Sequence, residues 1–530
     1  MRKGIIGIMI VCSWVIGVNV FAQRHVVIDN PETWTVSELA PYYGETVIFD
    51  TPLYVTSNYS GLRVSPRRIF SPSNQARPKT AEYSRIAALN QQGTIDLVGA
   101  SGYHRLGEKI YNLKAKVSSG SLTMLDGEWS GNSRADLEAA LPNVDQNGEH
   151  TLLICTMNLE YYMTEQFSDG YSDPGPSSDA QHQKQRAKIS KALAKINADL
   201  YGFVELQLGD GAIRELTEDL SKNTGRNYAY INDGSSASGS FIRAGFAYDA
   251  DKLECIGALQ EIETAIQHRK KMQAFREKAT GEVFIFSVNH FKAKSGGGTG
   301  ANADQGDGQG GFNQTRVSEA TAVLDRYNKY KVNPIINDED IIIMGDLNAY
   351  GKEDPIYVFL DNGMTDLHRY FHADTSYSYT YRSELGYLDH AICSASMLPQ
   401  VTGMSAYHIN SDESDEFTYD KSSDLTMFRC SDHDPVLIGV RLDSTLAPIN
   451  YSVGVNTWDI YENGSKIVIS HAYESDAPSF YRVYTIDGRL WEAGKITDEV
   501  HSIDRPVQSG LYIIMVFDKG VTYKYKLIIP

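Results

Sequence analysis

The sequence predicts a mixed α/β chain flanked by β-rich regions, and three observations predict it. Over residues 150–442, apolar runs that read as buried strands (LLICT, YGFVEL, VFIFSVNH, DIIIMGD, PVLIGV) alternate with amphipathic helices. Over residues 24–145, short alternating runs such as HVVID, ETVIF, PLYVT, TIDLV and KIYNLKAKV are separated by Gly, Ser, Asn and Pro, the pattern of a small β-barrel or sandwich. Over residues 446–530, turn signals at Asn463-Gly464, Asp487-Gly488 and Asp518-Lys519-Gly520 separate SKIVIS, FYRVYT, LYIIMVF and YKYKLII, a third and all-β region. A length of 530 residues with 42% hydrophobic content supplies enough core for several domains.

The first residues read as an export signal. Arg2 and Lys3 precede an apolar run from Ile5 to Val18, and Val20-Phe21-Ala22 forms a small-residue cleavage site, so residues 1–22 are removed and the mature chain starts at Gln23. No other run of 18 apolar residues follows, so no membrane span is expected, and the protein is expected outside the cell or on its surface. Cys155, Cys255, Cys393 and Cys430 remain after cleavage. They show no CxxC or metal-ligand spacing and read as buried small side chains, with one disulfide as the alternative.

Within the middle region, Ile189, Leu193 and Ile196 form the apolar stripe of a helix over 182–197, and Val317, Ala320 and Leu324 that of a helix over 314–328. Two polar stretches, 168–180 and the glycine-dense 294–311, are expected to be mobile. The second lacks the GxxxxGK[ST] spacing of a phosphate-binding loop. The net charge of -18 disfavours a polyanion binder unless a divalent cation mediates.

The strand ends carry the chemistry. IIIMGDLNAY places Asp346 and Asn348 at the end of an apolar strand, and residues two apart in a strand face the same side. Taken alone this is equally an Asx turn. But LLICTMN ends in Asn158, YGFVELQ carries Glu205, VFIFSVNH ends in Asn289 and His290, GYLDHAIC holds Asp389 and His390, and RCSDHDPVLIGV opens with Ser431, Asp432 and His433. Polar termini on so many strands point to one converging site.

These stretches resemble a known family, the endonuclease/exonuclease/phosphatase (DNase I-like) superfamily, and within it the secreted bacterial extracellular nucleases. The resemblance rests on TMNLEYY, LYGFVELQ, FAYDADKL, SVNHFKAK, DQGDGQGGFNQTR, MGDLNAY, GYLDHAI, HINSDESDEF and SDHDPV, in this order from residue 156 to 436. It implies an α+β fold, a four-layer α/β/β/α sandwich. It also implies a Mg²⁺-assisted phosphodiesterase site, with Mn²⁺ or Ca²⁺ as alternatives. By the resemblance, Glu205, Asn158 and Asp432 hold the metal. Asp389 orients His433, which activates or positions the attacking water. Asp346 fixes that water, while Asn348 and His290 hold phosphate oxygens. Tyr248 lies near substrate in the family pattern, and Arg269 is a candidate for phosphate contact, with a solvated charge run as the plainer reading. The acidic SDESDEF, 411–417, reads as an acidic loop, with a Ca²⁺ site as the alternative.

The N-terminal region resembles the OB-fold-like barrel that precedes such nuclease domains, chiefly through SGLRVSPRRIFSPSNQ. Arg67 and Arg68 there, with Arg63, Arg77, Lys79 and Arg85, suggest a basic patch guiding nucleic acid, with a charged linker packed on the nuclease domain as the plainer reading. The C-terminal region resembles the sorting domain of the type IX secretion pathway, through VYTIDGRLWEAG, SGLYIIMV and YKYKLII, which makes the secretion machinery a partner. The expectation is a monomeric, secreted, metal-dependent nuclease acting on DNA, with RNA as the alternative substrate. The alternatives are a phosphatase or sphingomyelinase-like lipid phosphodiesterase on the same core, or an inactive binding protein, which the intact motif residues disfavour.

Overall fold

Uninterrupted Ile, Val and Phe runs can be buried on both faces, and the strands they form lie inside the larger of the chain's two units. The computed structural model describes residues 23–164, 175–236 and 242–442, then 458–463, 466–471, 479–485, 490–496, 498, 500–504, 506, 510–518 and 521–529. The export signal at 1–22, the 168–174 part of the first polar stretch, and the turn residues Gly464, Asp487-Gly488 and Lys519-Gly520 lie outside the described residues. The chain forms two compact units, one ending at Leu442 and the other running from Asp443 to Pro530.

Two six-stranded sheets make the middle of the first unit. One is ordered Tyr228–Tyr230, Ile242–Asp249, Leu200–Gln207, Leu152–Tyr162, Val436–Val440, Val401–Ala406. The other is ordered Leu253–Glu261, Lys270–Glu277, Val283–Asn289, Ile341–Asp346, Asp389–Cys393, Thr365–Asp366. Ile154, Val204 and Phe246 of the first sheet share one apolar cluster with Phe286, Val288 and Met344 of the second, so the sheets pack face to face. Helices Asp179–Ile196 and Gly211–Thr224 cover the outer face of the first sheet, and Asn313–Tyr330 with Asp354–Leu360 that of the second. The layers therefore run helix, sheet, sheet, helix.

The helix Asp179–Ile196 begins where the Ser178 side chain accepts the Gln181 amide and ends at left-handed Asn197 (φ 51°). Its buried face carries Ile189, Leu193 and Ile196 as the spacing predicts, each contributing roughly 1.5–3 kcal/mol of burial. Asn313–Tyr330 departs from the expected stripe. Val317 is only half-buried, and Arg316, Val323 and Tyr327 complete the inner face with Ala320 and Leu324. Arg316 turns inward because carbonyls await it, those of Gln309 (2.6 Å), Gly311 (2.8 Å) and Lys292 (3.2 Å).

Those carbonyls belong largely to the stretch 294–311, which was expected to be mobile and is instead folded around Arg316. Gly308 (φ 87°) and Gly310 (φ 69°) take left-handed backbone that lets successive carbonyls converge on one guanidinium. Gln309 is fully buried there.

In the N-terminal region, Lys109–Ser118, Leu53–Ser57, Leu62–Ser65, Ile95–Val98 and Ser121–Ser130 close on one another as a five-stranded sheet, because Lys109–Ser118 also pairs with Ser121–Ser130. Arg24–Val26 and Thr46–Phe49 extend it, and a helix the alternating pattern does not announce, Ala81–Gln91, lies between Leu62–Ser65 and Ile95–Val98 in the chain. SDESDEF is no solvated acidic loop. Asp412 and Glu413 are buried, and Glu413 is ion-paired with Arg105 (Nε at 2.7 Å) and accepts Arg134 Nε (3.0 Å) from the N-terminal region.

In the second unit, Trp458–Asn463, Lys466–His471 and Val500–Asp504 form one antiparallel sheet, and Leu490–Ile496, Ser479–Thr485, Gly510–Asp518 and Val521–Ile529 another. Trp458, Ile467, Ile469, Tyr481, Val483, Ile514 and Val516 join both in one apolar cluster. Cys155, Cys393 and Cys430 are buried and Cys255 is half-buried, and among the described residues no disulfide joins them.

Candidate active site

Both sheets deliver polar residues to the same edge. Leu152–Tyr162 and Leu200–Gln207 run parallel with Asn158 opposite Val204, so Asn158 and Glu205 leave side by side. Val283–Asn289 and Ile341–Asp346 also run parallel, with Val288 opposite Met344, so His290 and Asp346 follow together. The approach is close enough to require Gly345 (φ 118°), since a Cβ there would lie 2.1 Å from the Asn289 carbonyl. Asp389 pairs opposite Asp346 across the next strand.

The backbone is strained where the site forms. Glu160 (φ 50°), Tyr161 (φ 57°), Glu205 (φ 61°) and Asn348 (φ 49°) all hold left-handed conformations. Such residues cost on the order of 1–3 kcal/mol each and persist where the surroundings fix them.

The side chains converge. Asn158 Nδ2 donates to Glu205 Oε1 and to Asp346 Oδ2, both at 3.2 Å. His290 Nε2 lies 3.6 Å from Glu205 Oε1 and 3.8 Å from Asp346 Oδ2. His433 Nε2 lies 4.0 Å from the same Asp346 oxygen and 3.9 Å from Asp432 Oδ2. Behind it, His433 Nδ1 meets Asp389 Oδ2 at 2.7 Å, and that oxygen also accepts Ser378 Oγ at 2.6 Å. The Tyr379 ring stacks on the His433 imidazole at 4.6 Å. Tyr161 N–H donates to Glu205 Oε2 (3.1 Å).

The electrostatics are one-sided. Burial, then the charges of Asp432 and Asp346, push Glu205 up to about 7. Burial and the neighbouring Asp389 push Asp346 up to about 7, although His433 pulls the other way. Burial and Asp432 push Glu160 up to about 8, and its Oε2 is buried without a partner. The two imidazoles diverge. Burial, reinforced by Arg269, holds His290 well below its ordinary value. For His433, Asp389, Asp432 and Asp346 together outweigh burial and lift it well above.

Asn158, Glu205, His290, Asp346, Asp389, Asp432 and His433 thus meet in one cleft. Asn348 is beside it. Its backbone N–H donates to Asp346 Oδ1 (2.8 Å), but its Nδ2 is taken by the Phe291 carbonyl (3.1 Å). Arg269 borders the cleft, its carbonyl accepting the His290 amide at 2.8 Å, and no carboxylate among the described residues pairs with it. His390 turns into the core, where its Nε2 meets the Ala349 carbonyl at 2.7 Å.

Three expected substrate contacts are corrected. Tyr248 pairs opposite Leu200, five positions before Glu205, so it sits roughly 17 Å from the site at about 3.3 Å per residue, packed on Phe275. Arg67 is buried, its Nη1 donating to the Trp34 carbonyl at 3.1 Å. Arg68 lies over the Tyr377 ring, 4.7 Å from its centroid. The rest of the basic patch is paired: Arg63 with Asp96 (3.1 Å), Arg77 with Asp354 (3.1 Å), Lys79 with Asp307 (3.0 Å) and Arg85 with Glu82 (2.8 Å). Counting charges along a segment cannot register carboxylates such as Asp307 and Asp354, which arrive from more than 200 residues away.

Glu160, Ser378 and Tyr379 were missed. Glu160 follows Asn158 by two positions in TMNLEYY, so strand alternation would have placed both on one face. Nothing in YSYTY announces that Ser378 braces Asp389.

The architecture and site define a two-sheet sandwich with an acidic, histidine-bearing edge. The Endonuclease/Exonuclease/phosphatase family matches residues 158–433, more than half of the chain, and the chain belongs to that family, whose members are phosphate-ester hydrolases. Among solved structures, an endonuclease/exonuclease/phosphatase from Bacteroides vulgatus is 15% identical, with 55% of this chain and 99% of that one covered at a TM-score of 0.37. The human Nocturnin catalytic domain with bound sulfate is 14% identical over 54% and 93% at 0.35, and D. rerio TDP2 with a single-strand DNA product 14% over 55% and 99% at 0.36. No curated protein matches the chain.

Family members use divalent metal ions, and the donor set fits one. Ligand atoms of Glu205, His290 and Asp346 lie within 4.8 Å of one another. The carboxyls of Glu205 and Asp346, with Glu160 and Asp432 acting on them from beside, are hard oxygen donors of the kind a divalent cation takes. Asp346, Asp389 and His433 form a second such group, but Asp389 Oδ2 is already engaged by His433 and Ser378, which makes it a relay and not a cation site.

Proposed function

We propose that the protein is a secreted, divalent-metal-dependent phosphodiesterase that cleaves nucleic acid, with DNA as its main substrate. The observation that carries this reading is the convergence of Asn158, Glu205, His290, Asp346 and the Asp389–His433 pair on one sheet edge. Glu205, Glu160, Asp432 and Asn158 would hold the cation, most simply Mg²⁺. A bound cation supplies neutralisation of the charge that develops on the phosphoryl and leaving oxygens.

The chain's own residues do the rest. His290, kept neutral, offers an N–H to a non-bridging oxygen. Asp346, at the end of its strand and beside Asn158 and His290, positions the attacking water and accepts its proton. The water oxygen bonds to phosphorus as the ester P–O bond breaks, and the departing oxygen takes a proton from solvent, giving a phosphate monoester and an alcohol. His433, held charged and oriented by Asp389, faces the same oxygen of Asp346 and meets the negative charge gathering on phosphorus.

Nucleic acid is favoured over lipid by the extracellular-nuclease motifs DQGDGQGGFNQTR and HINSDESDEF. Export is supported by the N-terminal signal pattern, and passage through a type IX pathway by the sorting-like motifs of the C-terminal unit. The test is incubation of purified protein with plasmid, single-stranded DNA, RNA, bis(p-nitrophenyl) phosphate and sphingomyelin, with Mg²⁺ or with chelator. Chelator-sensitive cleavage of the nucleic acids is expected. Hydrolysis of lipid alone, or cleavage indifferent to chelator, overturns the reading.

A further inference from the structure

We infer that the strap Arg68–Asn74 of the N-terminal region is a positioning element for the Asp389–His433 pair, acting through the segment Ser376–Gly386. The inference rests on the proposed function only for its kinetic readout.

The strap and the segment are bound at both ends. Asn74 Nδ2 donates to the Ser376 carbonyl (3.1 Å), the Ser71 amide to the Leu385 carbonyl (2.8 Å), and the Leu385 amide to the Ile69 carbonyl (2.8 Å). Between them Arg68 covers one face of the Tyr377 ring at 4.7 Å, and His408 stacks on that ring at 3.8 Å and 5°. The Tyr377 hydroxyl donates to buried Asp412 at 3.1 Å, and His408 Nδ1 meets buried Asp434 at 2.8 Å. Tyr377 therefore has little freedom to shift.

The next two residues touch the catalytic machinery. Ser378 Oγ donates to the Asp389 oxygen that holds His433, its carbonyl accepts the Asp434 amide (2.8 Å), and Tyr379 stacks on His433. An imidazole orients a water only as well as its own supports are fixed, and loss of such outer partners typically costs about 10- to 100-fold in activity. Arg68 lies outside the family-matched span of 158–433.

The experiment compares Arg68→Met, Arg68→Lys and Asn74→Ala with wild type, using Arg63→Ala as an exposed control. Each is assayed on plasmid DNA and on bis(p-nitrophenyl) phosphate, and the downfield Nδ1–H proton of His433 is followed by NMR. Arg68→Met is expected to lower kcat about 10-fold with KM unchanged and by the same factor on both substrates. Arg68→Lys, which keeps a cation over the ring, recovers most of that loss, and the His433 proton shifts in Arg68→Met alone of the two. If Arg68→Met does not fold at the assay temperature, Asn74→Ala carries the comparison, since it removes one strap contact.

Unchanged kcat with an unmoved proton overturns the inference. So does a loss confined to plasmid KM, which marks a substrate contact. If wild type hydrolyses no phosphodiester, the functional reading falls, while the proton signal still decides the positioning.

Discussion

The catalytic cleft and the seam between the N-terminal region and the sandwich are both crowded with buried charge, yet they satisfy it in opposite ways. In the seam, Glu413 is fully buried at its side chain and receives Arg105, Arg134 and the Tyr103 hydroxyl. In the cleft, Glu160, Glu205, Asp346 and Asp432 press on one another, and three of them are lifted toward neutrality or beyond. Matched buried charge holds two parts of a fold in register. Unmatched buried charge is held for something that arrives.

The contrast breaks most sharply at the metal ligands. Glu205→Gln is expected to lower kcat about 10²–10³-fold with little loss of folding stability, read by initial rates beside a guanidinium melt of the metal-free protein. A next step down is Glu413→Ala in the seam, which strands Arg105 and Arg134 and should cost roughly 3–5 kcal/mol in the same melt. A seam variant that unfolds no earlier than wild type would mean the matched charges are not structural.

Glu160→Gln sharpens the difference from the other side. With its carboxyl pushed up to about 8, Glu160 must take up a proton on folding at neutral pH, which Gln need not do, so the variant should stabilise the metal-free protein by about 0.5–1 kcal/mol while activity falls. Destabilisation comparable to Glu413→Ala would erase the distinction.

The smallest effect is in acid. Against the push of burial, Lys271 and Arg243 hold Asp233 below its ordinary value, and Arg186 does the same for Asp219. A depressed folded value means these groups add stability above their unfolded value of about 4, and that this stability is lost as pH falls through the folded value. The unfolding midpoint should therefore decline below about pH 4, and Arg186→Met should flatten that decline.

Much of the site was legible because it sits on strand ends, where a two-residue repeat and an apolar run fix which side chains emerge together. Asn158, Glu205, Asp346 and His433 could be named from such local rules, and the spacing of Ile189, Leu193 and Ile196 likewise gave a helix face. Tyr248 failed because antiparallel pairing sent it to the far end of its sheet. Arg67 and Arg68 failed because their partners, the Trp34 carbonyl and the Tyr377 ring, are invisible from local charge. The stretch 294–311 failed because glycine freedom was read as mobility, when it served to turn carbonyls toward Arg316.

The sequence by itself determined the periodicities: which runs could be buried, which strand ends carried acid, amide or imidazole, and where an export signal pattern stands. Those properties follow from bonded geometry and solvation acting over a few residues. Tertiary structure alone decided which distant charges are matched, that the five-stranded sheet closes, and that a strap from the N-terminal region reaches Tyr377. These depend on through-space distances between segments whose separation along the chain bears no relation to their separation in the fold.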